Sequence, residues 1–259
     1  MPSTQYDAIG STYSGMKQLP TGVLETYNLY RACIPYIRGA RVLDLACGTG
    51  HFSRLCLEWG ARSVVGVDIS PAMVDSARSL TPTQSLEALT FEVGDCANPT
   101  VYSGGQYDIV LGSWLLNYAA NGTEMTKMFR NAALNLKEGG QFICITPHPT
   151  ETPRSWMEKA LRARPREAFA GPYWITMTPW AAVEEGVRMW LQADTVTGSV
   201  EFGAYHLQKG VYLQAAKEGG FVPTPAWRRM LLPEGWKSEF DNWVDVPHFG
   251  VMLVRKSVV

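Results

Sequence analysis

Two glycines and two aspartates in this chain have the residue types and spacing of a site for a nucleotide-like ligand. Gly48 and Gly50 lie in a run of small residues that directly follows an apolar segment, and Asp44 lies within that segment. This order predicts a buried strand, a tight turn and a helix start, in which the backbone approaches a ligand closely. Asp68 ends a second apolar segment about 20 residues further on, where a carboxylate accepts hydrogen bonds from both hydroxyls of a ribose.

The acid at Asp44 separates this turn from a pyridine-dinucleotide site. The dinucleotide fingerprint G-x-G-x-x-G/A places a pyrophosphate at a helix N-terminus, and Gly48, Gly50 and Ser53 nearly meet its spacing. A carboxylate at Asp44 repels a pyrophosphate but attracts a cationic amino group. S-adenosylmethionine has such a group, a sulfonium and no phosphate, so it is favoured. A nicotinamide-dependent dehydrogenase is the weakest alternative.

The turn resembles the first motif of the class I S-adenosylmethionine-dependent methyltransferases, acidic-x-Gly-x-Gly-x-Gly, with Ala46 at the place of the first glycine. Further segments look like the third, fourth and fifth strands of that family, and these are 91–96, 106–112 and 139–146. The segments 6–13 and 114–119 look like the small-molecule branch of the family that includes toxoflavin synthase. The resemblance covers residues 4–147.

The resemblance implies a fold, a cofactor and a set of contacts. The expected fold is α/β, a doubly wound, mostly parallel seven-stranded sheet with ligands at the carboxyl ends of its strands. The expected cofactor is S-adenosyl-L-methionine, which leaves as S-adenosyl-L-homocysteine. Its expected contacts are Tyr13, Asp44, Ala46, Gly48, Gly50, Asp68, Ile69, Asp95, Cys96 and Ser113.

Several of these residues also fit a purely structural role. Asp68 and Asp95 are equally suited to cap a following helix. The alternative for Ser113 is an ordinary loop residue, and for Tyr13 it is a residue on the surface of a helix. The distant acid and the glycine turn together favour the cofactor interpretation.

Candidates for the acceptor side follow the predicted fourth and fifth strands. Tyr118 and His148 are the expected catalytic residues, because both strand ends open toward the transferred methyl group and both side chains can orient or deprotonate an acceptor. The expected substrate contacts are Asn117, Tyr118, His148, Tyr205 and His206. Packing and loop roles remain as alternatives for each of them. No cluster with the spacing of metal ligands stands out.

The order of apolar segments predicts alternating strands and helices around this site. Strands are expected at 41–46, 62–68, 89–94, 107–112 and 140–146. Helices are expected at 22–38, 50–59, 71–80 and 122–137, with a short one near 98–103. A helix at 207–218 and strands near 221–232 and 247–256 are expected to complete the sheet.

The segment 148–207 interrupts this alternation with five prolines. We expect a short helix at 154–164 and two extended runs, 186–192 and 199–205, that pair with each other. We interpret the segment as an insertion that roofs the pocket. The whole chain is then a single domain with four parts, and these are a helical cover (1–38), a cofactor-binding core (39–147), a substrate lid (148–207) and a C-terminal part that completes the sheet (208–259).

Composition limits the partners and the compartment. The 259 residues carry a net charge of −1, which gives no electrostatic reason to expect nucleic acid or an anionic membrane as a partner. The five cysteines form no C-x-x-C pair, so neither structural zinc nor a disulfide framework is expected. We expect a cytoplasmic monomer or homodimer, without a signal peptide or a membrane span.

The leading hypothesis is a methyltransferase that acts on a small, aromatic or heterocyclic metabolite in a biosynthetic pathway of secondary metabolism, mainly by positioning and desolvation. N-methylation is favoured over O- or S-methylation, because a neutral ring nitrogen needs little deprotonation. Two alternatives keep the cofactor. One is a cofactor-assisted cyclisation, and the other is a catalytically silent binding subunit.

Overall fold

The apolar segments of the chain form two sheets in the computed structural model, which describes residues 4–163, 175–196 and 198–257. The strands are, in chain order, β1 (Arg41–Leu45), β2 (Ser63–Asp68), β3 (Leu89–Val93), β4 (Tyr107–Leu111), β5 (Leu136–Pro147), β6 (Thr176–Val183), β7 (Gly186–Thr195), β8 (Gly198–Leu207), β9 (Ala226–Arg228) and β10 (Phe249–Arg255).

The main sheet has seven strands in the order β3-β2-β1-β4-β5-β10-β9. Strands β1 to β5 are parallel, β10 is antiparallel to β5, and β9 is antiparallel to β10. This topology confirms the expected doubly wound, mostly parallel sheet. The order changes direction between β1 and β4, and open α/β sheets bind their ligands at the carboxyl ends of the strands beside such a point.

Helices cover both faces of this sheet. They are α1 (Gln5–Ile9), α2 (Pro20–Cys33), α3 (His51–Glu58), α4 (Pro71–Ser79), α5 (Gly122–Asn135), α6 (Pro153–Ala163), α7 (Lys209–Glu218) and α8 (Lys237–Asp245), with a 3-10 helix at Gly10–Gln18. In the described ranges, no helix combines the length and the apolar character that crossing a membrane requires.

Alternate residues of the central strands enter different cores, as the two-residue period of a strand requires. Val42 and Ile109 belong to a cluster that includes side chains of α2, α3 and α4. Their neighbours Leu43 and Val110 belong to a second cluster with side chains of α5 and α7. The central strands are thus buried on both faces, which fixes the positions of their carboxyl ends.

Strands β6, β7 and β8 form an antiparallel sheet inserted between β5 and β10. The pairing of β7 with β8 confirms the one expected for 186–192 and 199–205. Met189 and Phe202 of this sheet join the core cluster on the α2 side of the main sheet. We call β6 to β8 the lid sheet. Residues 164–174 and 197 of the expected lid lie outside the described residues.

The N-terminal segment is tied to the lid sheet by the side chain of Gln5. Its amide Nε2 donates to the carbonyl oxygen of Gly203 at 3.1 Å, and its Oε1 accepts from the N–H of Gly203 at 3.2 Å. The side chain therefore pairs with the backbone of β8 in the way a neighbouring strand would.

The helix expected near 98–103 is wrong, because α5 supplies partners to that backbone in an irregular conformation. Asn131 Oδ1 accepts from the N–H of Thr100 at 3.1 Å, and Asn135 Oδ1 accepts from the N–H of Tyr102 at 3.0 Å. Asn135 also donates to the carbonyl oxygen of Thr100 at 2.7 Å. These bonds replace those that a helix would make.

Two elements, β6 and α8, were not predicted from the sequence. Strand β6 contains Pro179, which removes a backbone donor, and its register shifts between Pro179 and Ala181, as expected at a sheet edge. Helix α8 lies in a segment that carried no helix prediction, although it buries Phe240 and Trp243 three residues apart. Only β9 remains of the strand expected near 221–232.

Candidate active site

The turn after β1 has a backbone that suits glycine at three places. Ala46, Gly48 and Gly50 have φ angles of 59°, 54° and 75°, in the left-handed region. An L-residue there costs roughly 1–2 kcal/mol, which Ala46 bears and a glycine would not. A Cβ on Gly50 would also lie 2.7 Å from the ring of Phe91. The turn therefore brings bare backbone to the end of β1.

The carboxylate at the end of β2 is bonded to this turn. Asp68 Oδ2 accepts from the N–H of Gly48 at 2.8 Å, and Oδ1 accepts from the N–H of Ser70 at 3.0 Å. The side chain is 7% exposed, and burial raises its pKa above the usual range while these backbone donors oppose the shift. Asp68 thus organises the turn as well as facing the space above it.

A cavity of about 450 Å³ opens above the ends of β1, β2 and β4. Most of the expected cofactor contacts and one expected catalytic residue line it, namely Tyr13, Ala46, Gly48, Asp68, Ile69, Asp95, Cys96, Ser113 and Tyr118. A cavity of this size suits a small ligand with a mostly apolar surface and a few polar groups. Ser113 Oγ is buried there without a hydrogen-bond partner.

Neither Asp44, at the end of β1, nor Gly50 of the turn lines the cavity. Asp44 is 1% exposed and accepts a hydrogen bond from Ser53 Oγ at 2.6 Å. Burial raises the pKa of Asp44 to about 6, and the Ser53 hydroxyl partly opposes that shift. The cofactor contacts expected of Asp44 and Gly50 remain predictions.

Asp95 and Cys96 form the wall next to the end of β3. Asp95 Oδ1 accepts from the N–H of Ala97 at 2.9 Å, and Oδ2 accepts from Asn98 Nδ2 at 2.6 Å. No helix lies between β3 and β4 in the described residues. Asp95 therefore caps no helix, and the capping alternative for this residue is wrong. The Cys96 thiol accepts from the N–H of Ala46 at 3.4 Å, and burial raises its pKa.

The N-terminal segment supplies cavity residues that the sequence reasoning missed. Tyr6 contacts Tyr118 through the two hydroxyls, and its ring centroid lies 5.8 Å from that of Tyr13 and 5.6 Å from that of Phe202. Lys17 also lines the cavity. This segment has no strong periodic pattern, and its approach to the site depends on contacts far apart in sequence.

Trp114 is a second missed residue, and its backbone is strained. Its φ is 63°, which is uncommon for a bulky residue, and its N–H donates to the carbonyl oxygen of Ile145 at 2.9 Å. The residue lines the cavity directly after Ser113. Backbone strain of this kind clusters at ligand sites. In the sequence analysis Trp114 appeared only within the segment 114–119, which resembles the small-molecule branch of the family, and it was not assigned a contact.

Asn117 and Tyr118 lie on the inner side of the cavity. Asn117 is 1% exposed, lines a smaller neighbouring void, and has no partner for Oδ1. Burial raises the pKa of Tyr118, so its hydroxyl stays protonated at neutral pH. The structure therefore brings these two expected acceptor residues together.

His148, Tyr205 and His206 do not line the cofactor cavity. His206 Nε2 donates to the carbonyl oxygen of His148 at 2.8 Å, and the His148 ring stacks on Trp156 with centroids 4.1 Å apart. Burial lowers the pKa of both histidines to about 4. Tyr205 is half-buried on β8. The acceptor roles expected for these three residues remain predictions.

A family model for a methyltransferase domain matches residues 42–140, the part of the chain that forms the turn and the cavity walls. That segment belongs to the methyltransferase domain family. The match confirms the expected family and, through it, the expected cofactor. It adds nothing specific to the toxoflavin synthase branch.

Relatives in sequence cover only part of this chain. It is 39% identical over 82 residues to the magnesium-protoporphyrin O-methyltransferase of Rhodobacter capsulatus, which is 32% of this chain and 35% of the relative. It is 34% identical over 134 residues to the ribosomal protein L11 methyltransferase of Agathobacter rectalis, or 48% of this chain and 40% of the relative. The chain thus spans at most two fifths of either relative's length.

The methyltransferase fold is shared over most of the chain with solved structures. An S-adenosylmethionine-dependent methyltransferase from Mesorhizobium loti superposes with a TM-score of 0.58 at 24% identity and covers 88% of this chain and 95% of its own. The CcbJ methyltransferase from Streptomyces caelestis superposes with a TM-score of 0.61 at 17% identity and covers 99% of both chains. These likenesses show the fold.

The residues of the cavity fit S-adenosylmethionine. Asp68 offers carboxylate oxygens near the glycine turn, and Ser113 offers a buried hydroxyl without a partner. Within the described residues, no group of three or more His, Cys, Asp or Glu side chains is arranged to hold a metal ion.

Proposed function

We propose that this chain transfers the methyl group of S-adenosylmethionine to a small aromatic or heterocyclic acceptor, with nitrogen favoured over oxygen or sulfur as the accepting atom. The observation that carries the proposal is the cavity itself. It extends from the glycine turn and Asp68 to a set of tyrosine rings, namely Tyr6, Tyr13 and Tyr118. The cofactor end and the acceptor end therefore share one space.

Asp68 and the turn hold the adenosine part in this proposal. The Asp68 carboxylate receives the ribose hydroxyls, since each carboxylate oxygen retains a lone pair beyond its backbone bond. Asp95 lies at the adenine edge, and Ile69 packs beside the ribose. When bound, the cofactor supplies an activated methyl group on a sulfonium. The remaining work of the protein is to place an acceptor in line with that methyl group.

The cover of the site excludes water in this proposal. The N-terminal segment lies over the cavity, and Gln5 ties it to Gly203 of the lid sheet. The three tyrosine rings and Phe202 pack edge-on or tilted against one another. A closed aromatic wall favours a flat, weakly polar acceptor and keeps the methyl donor away from competing water.

The preference for nitrogen rests on the two residues expected to be catalytic, neither of which supplies a base to the cavity. Tyr118 is protonated at neutral pH because burial raises its pKa, so its hydroxyl orients an acceptor but does not take a proton from it. His148 does not line the cavity. A hydroxyl acceptor often needs a base, whereas a neutral nitrogen attacks with its own lone pair.

The five cysteines support a reducing setting, and we propose the cytoplasm as the compartment. All five are buried and free of disulfides. Cytoplasmic proteins keep their thiols reduced, whereas small secreted proteins use cysteines as cross-links. We propose a monomer or homodimer that needs only the small-molecule acceptor, and light scattering at two protein concentrations tests this.

The test of the function is an incubation of the purified protein with methyl-labelled S-adenosylmethionine and a panel of small ring compounds with N, O or S acceptors. We expect label in a product that has gained one CH₂ unit, most often on nitrogen. Cofactor turnover without label in the acceptor would favour cyclisation chemistry instead. Tight cofactor binding with no product across the panel would favour a silent binding subunit.

A further inference from the structure

A second void lies on the inner side of the tyrosines that border the cofactor cavity. It shares Tyr13, Lys17, Trp114 and Tyr118 with that cavity and continues toward α2 and the lid sheet. Its volume is about 10 Å³ in this conformation, roughly the room that one water molecule needs. A heteroaromatic ring does not fit in that volume, so a ring that reaches these walls lies mainly in the larger cavity and directs only one edge at this void. We call this void the inner chamber.

The walls of the inner chamber are apolar and partly aromatic. The lid sheet contributes Met177, Leu191 and Phe202, and the loop after β4 contributes Trp114. The first three are buried in the core cluster on the α2 side of the sheet. Walls of this kind bind a flat, apolar ring and reject a strongly hydrated group.

One buried ion pair supplies the charge of the inner chamber. Lys17 Nζ lies 2.7 Å from Glu25 Oε2, and the two side chains are 11% and 2% exposed. The ammonium also lies 4.7 Å from the centre of the Phe52 ring. The pair is neutral overall, so an occupant with a net charge would enter an apolar site without a counter-ion and would pay the full cost of desolvation.

Two acceptor atoms of the inner chamber have no donor. Asn117 Oδ1 is buried without a partner. In the part of the chain that the structure describes, only Lys17 donates to the Glu25 carboxylate, and it does so at Oε2, which leaves Oε1 free. A buried acceptor without a donor, such as Asn117 Oδ1, is costly, so the site favours an occupant that brings an N–H group of its own.

We propose that Glu25 and Asn117 form the polar end of the acceptor site and receive the N–H of a neutral heteroaromatic ring, with Glu25 as the proton acceptor of the reaction. This inference rests on the proposed methyl transfer. Asn117 is a positioning residue, and its carbonyl oxygen holds the ring in register with the methyl group. Neither the family match nor the sequence motifs point to Glu25.

The chemical step balances with these groups. An unprotonated ring nitrogen directs its lone pair at the methyl carbon, so an N–C bond forms while the S–C bond breaks, and the electron pair of that bond stays on sulfur. As the N–C bond forms and the ring gains positive charge, its N–H proton moves to the Glu25 carboxylate in the same step. The neutral N-methyl product leaves, and Glu25 returns its proton to solvent when the cover opens.

The first test uses the unmodified protein loaded with S-adenosylhomocysteine and benzimidazole as the probe. Benzimidazole is a flat, neutral ring with one N–H and one bare nitrogen, and 1-methylbenzimidazole differs only by the loss of that N–H. Saturation-transfer NMR and calorimetry should show at least tenfold weaker binding of the methylated probe. Benzoate and benzylamine, which are charged at neutral pH, should not bind.

The second test uses Glu25→Gln, with Glu58→Gln on the exposed face of α3 as the matched control. We expect at least a hundredfold loss of methyl transfer to benzimidazole in Glu25→Gln and no change in Glu58→Gln. Partial recovery of activity in Glu25→Asp would separate a proton acceptor from a packing residue. Calorimetry with S-adenosylhomocysteine should give wild-type affinity for all three variants.

The two tests distinguish a failure of the proposed function from a failure of the roles assigned to Glu25 and Asn117. If the wild-type protein does not bind S-adenosylhomocysteine, the proposed function itself is wrong. If it binds that ligand but binds neither probe, or binds both equally, only the assignment of Glu25 and Asn117 is overturned. Because unpaired Lys17 can unfold a Glu25 variant, thermal unfolding of Lys17→Met/Glu25→Gln is measured beside it. The comparison of benzimidazole with 1-methylbenzimidazole on the unmodified protein tests the assignment even if every variant is unstable.

Discussion

One oxygen of the Asp68 carboxylate accepts a hydrogen bond of 2.8 Å from the backbone N–H of Gly48. This bond joins the end of β2 to the turn after β1, and those are the two places that the sequence offered for a ribose and for a close backbone approach. A single buried side chain therefore holds the geometry of the turn and faces the cavity above it. Binding and local stability are coupled at this residue.

Replacing Asp68 by asparagine should weaken both cofactor binding and the stability of the fold. The amide keeps one acceptor oxygen and turns an NH₂ group toward a backbone donor or a ribose hydroxyl, so we expect at least tenfold lower affinity for S-adenosylhomocysteine, about 1.4 kcal/mol. The free energy of unfolding should also fall by about 1–3 kcal/mol. Asp75→Asn on the exposed face of α4 is the control. Unchanged calorimetric affinity in Asp68→Asn would remove the ribose assignment.

Replacing Ala46 by glycine should stabilise the protein. The φ of 59° costs alanine roughly 1–2 kcal/mol, and glycine adds about 0.4–1 kcal/mol of entropy to the unfolded chain. The net gain in the free energy of unfolding is then about 0.5–1 kcal/mol. The control is Ala132→Gly in α5, which should lose at least about 1 kcal/mol. A loss of stability in Ala46→Gly, measured by urea unfolding, would refute the strain at this position.

Stability should fall on acidification below pH 6.5. Burial lowers the pKa of His51 and His248 to about 3 and of His148 and His206 to about 4. Between about pH 4 and pH 6.5 the unfolded chain therefore binds more protons at these sites than the folded chain does, so the free energy of unfolding decreases as pH falls.

Asp44 acts in the opposite direction in an overlapping range. Its pKa is raised to about 6, so the folded chain holds a proton there that the unfolded chain releases above about pH 4. One such group opposes four histidines, and we expect a net loss of about 2 kcal/mol or more between pH 7 and pH 5. Urea unfolding at several pH values measures this. A free energy of unfolding that rises toward pH 5 would contradict the burial of the histidines.

Replacing Gln5 by alanine should loosen the N-terminal cover. The side chain makes two hydrogen bonds to Gly203, each worth about 0.5–1.5 kcal/mol. Amide hydrogen exchange within 5–18 should therefore become at least fivefold faster, while exchange in β1 to β5 stays unchanged. Gln18→Ala, an exposed position at the end of the same segment, should have no effect. Equal exchange in both variants would show that Gln5 does not hold the cover.

The sequence was sufficient wherever the structural cause is local. The turn after β1 needs residues that tolerate positive φ, and the apolar run before it can only be buried, so β1, the turn and Asp68 follow from neighbours in the chain. The alternation of strands and helices predicted a doubly wound, mostly parallel main sheet in the same way. The cap of α4 is equally local, because Ser70 Oγ accepts from the N–H of Met73 at 3.3 Å.

The rest of the site depends on contacts between distant parts of the chain. Tyr6, Lys17 and Glu25 reach the site because the N-terminal segment folds over the sheet and under the lid sheet, and no pattern of period two or 3.6 encodes that path. His148 and His206 followed predicted strand ends, yet their rings pack against Trp156 and against backbone. The segment 98–103 lost its expected helix to the asparagines of α5, which are more than 25 residues away in sequence.

The most direct test is a calorimetric titration of the purified protein with S-adenosylhomocysteine and, separately, with NAD⁺. We expect one site for S-adenosylhomocysteine with micromolar affinity and no measurable heat from NAD⁺, because the Asp68 carboxylate already accepts from the N–H of Gly48, in the turn that a pyrophosphate would have to approach. Saturable binding of NAD⁺ without binding of S-adenosylhomocysteine would contradict the assignment of this cavity.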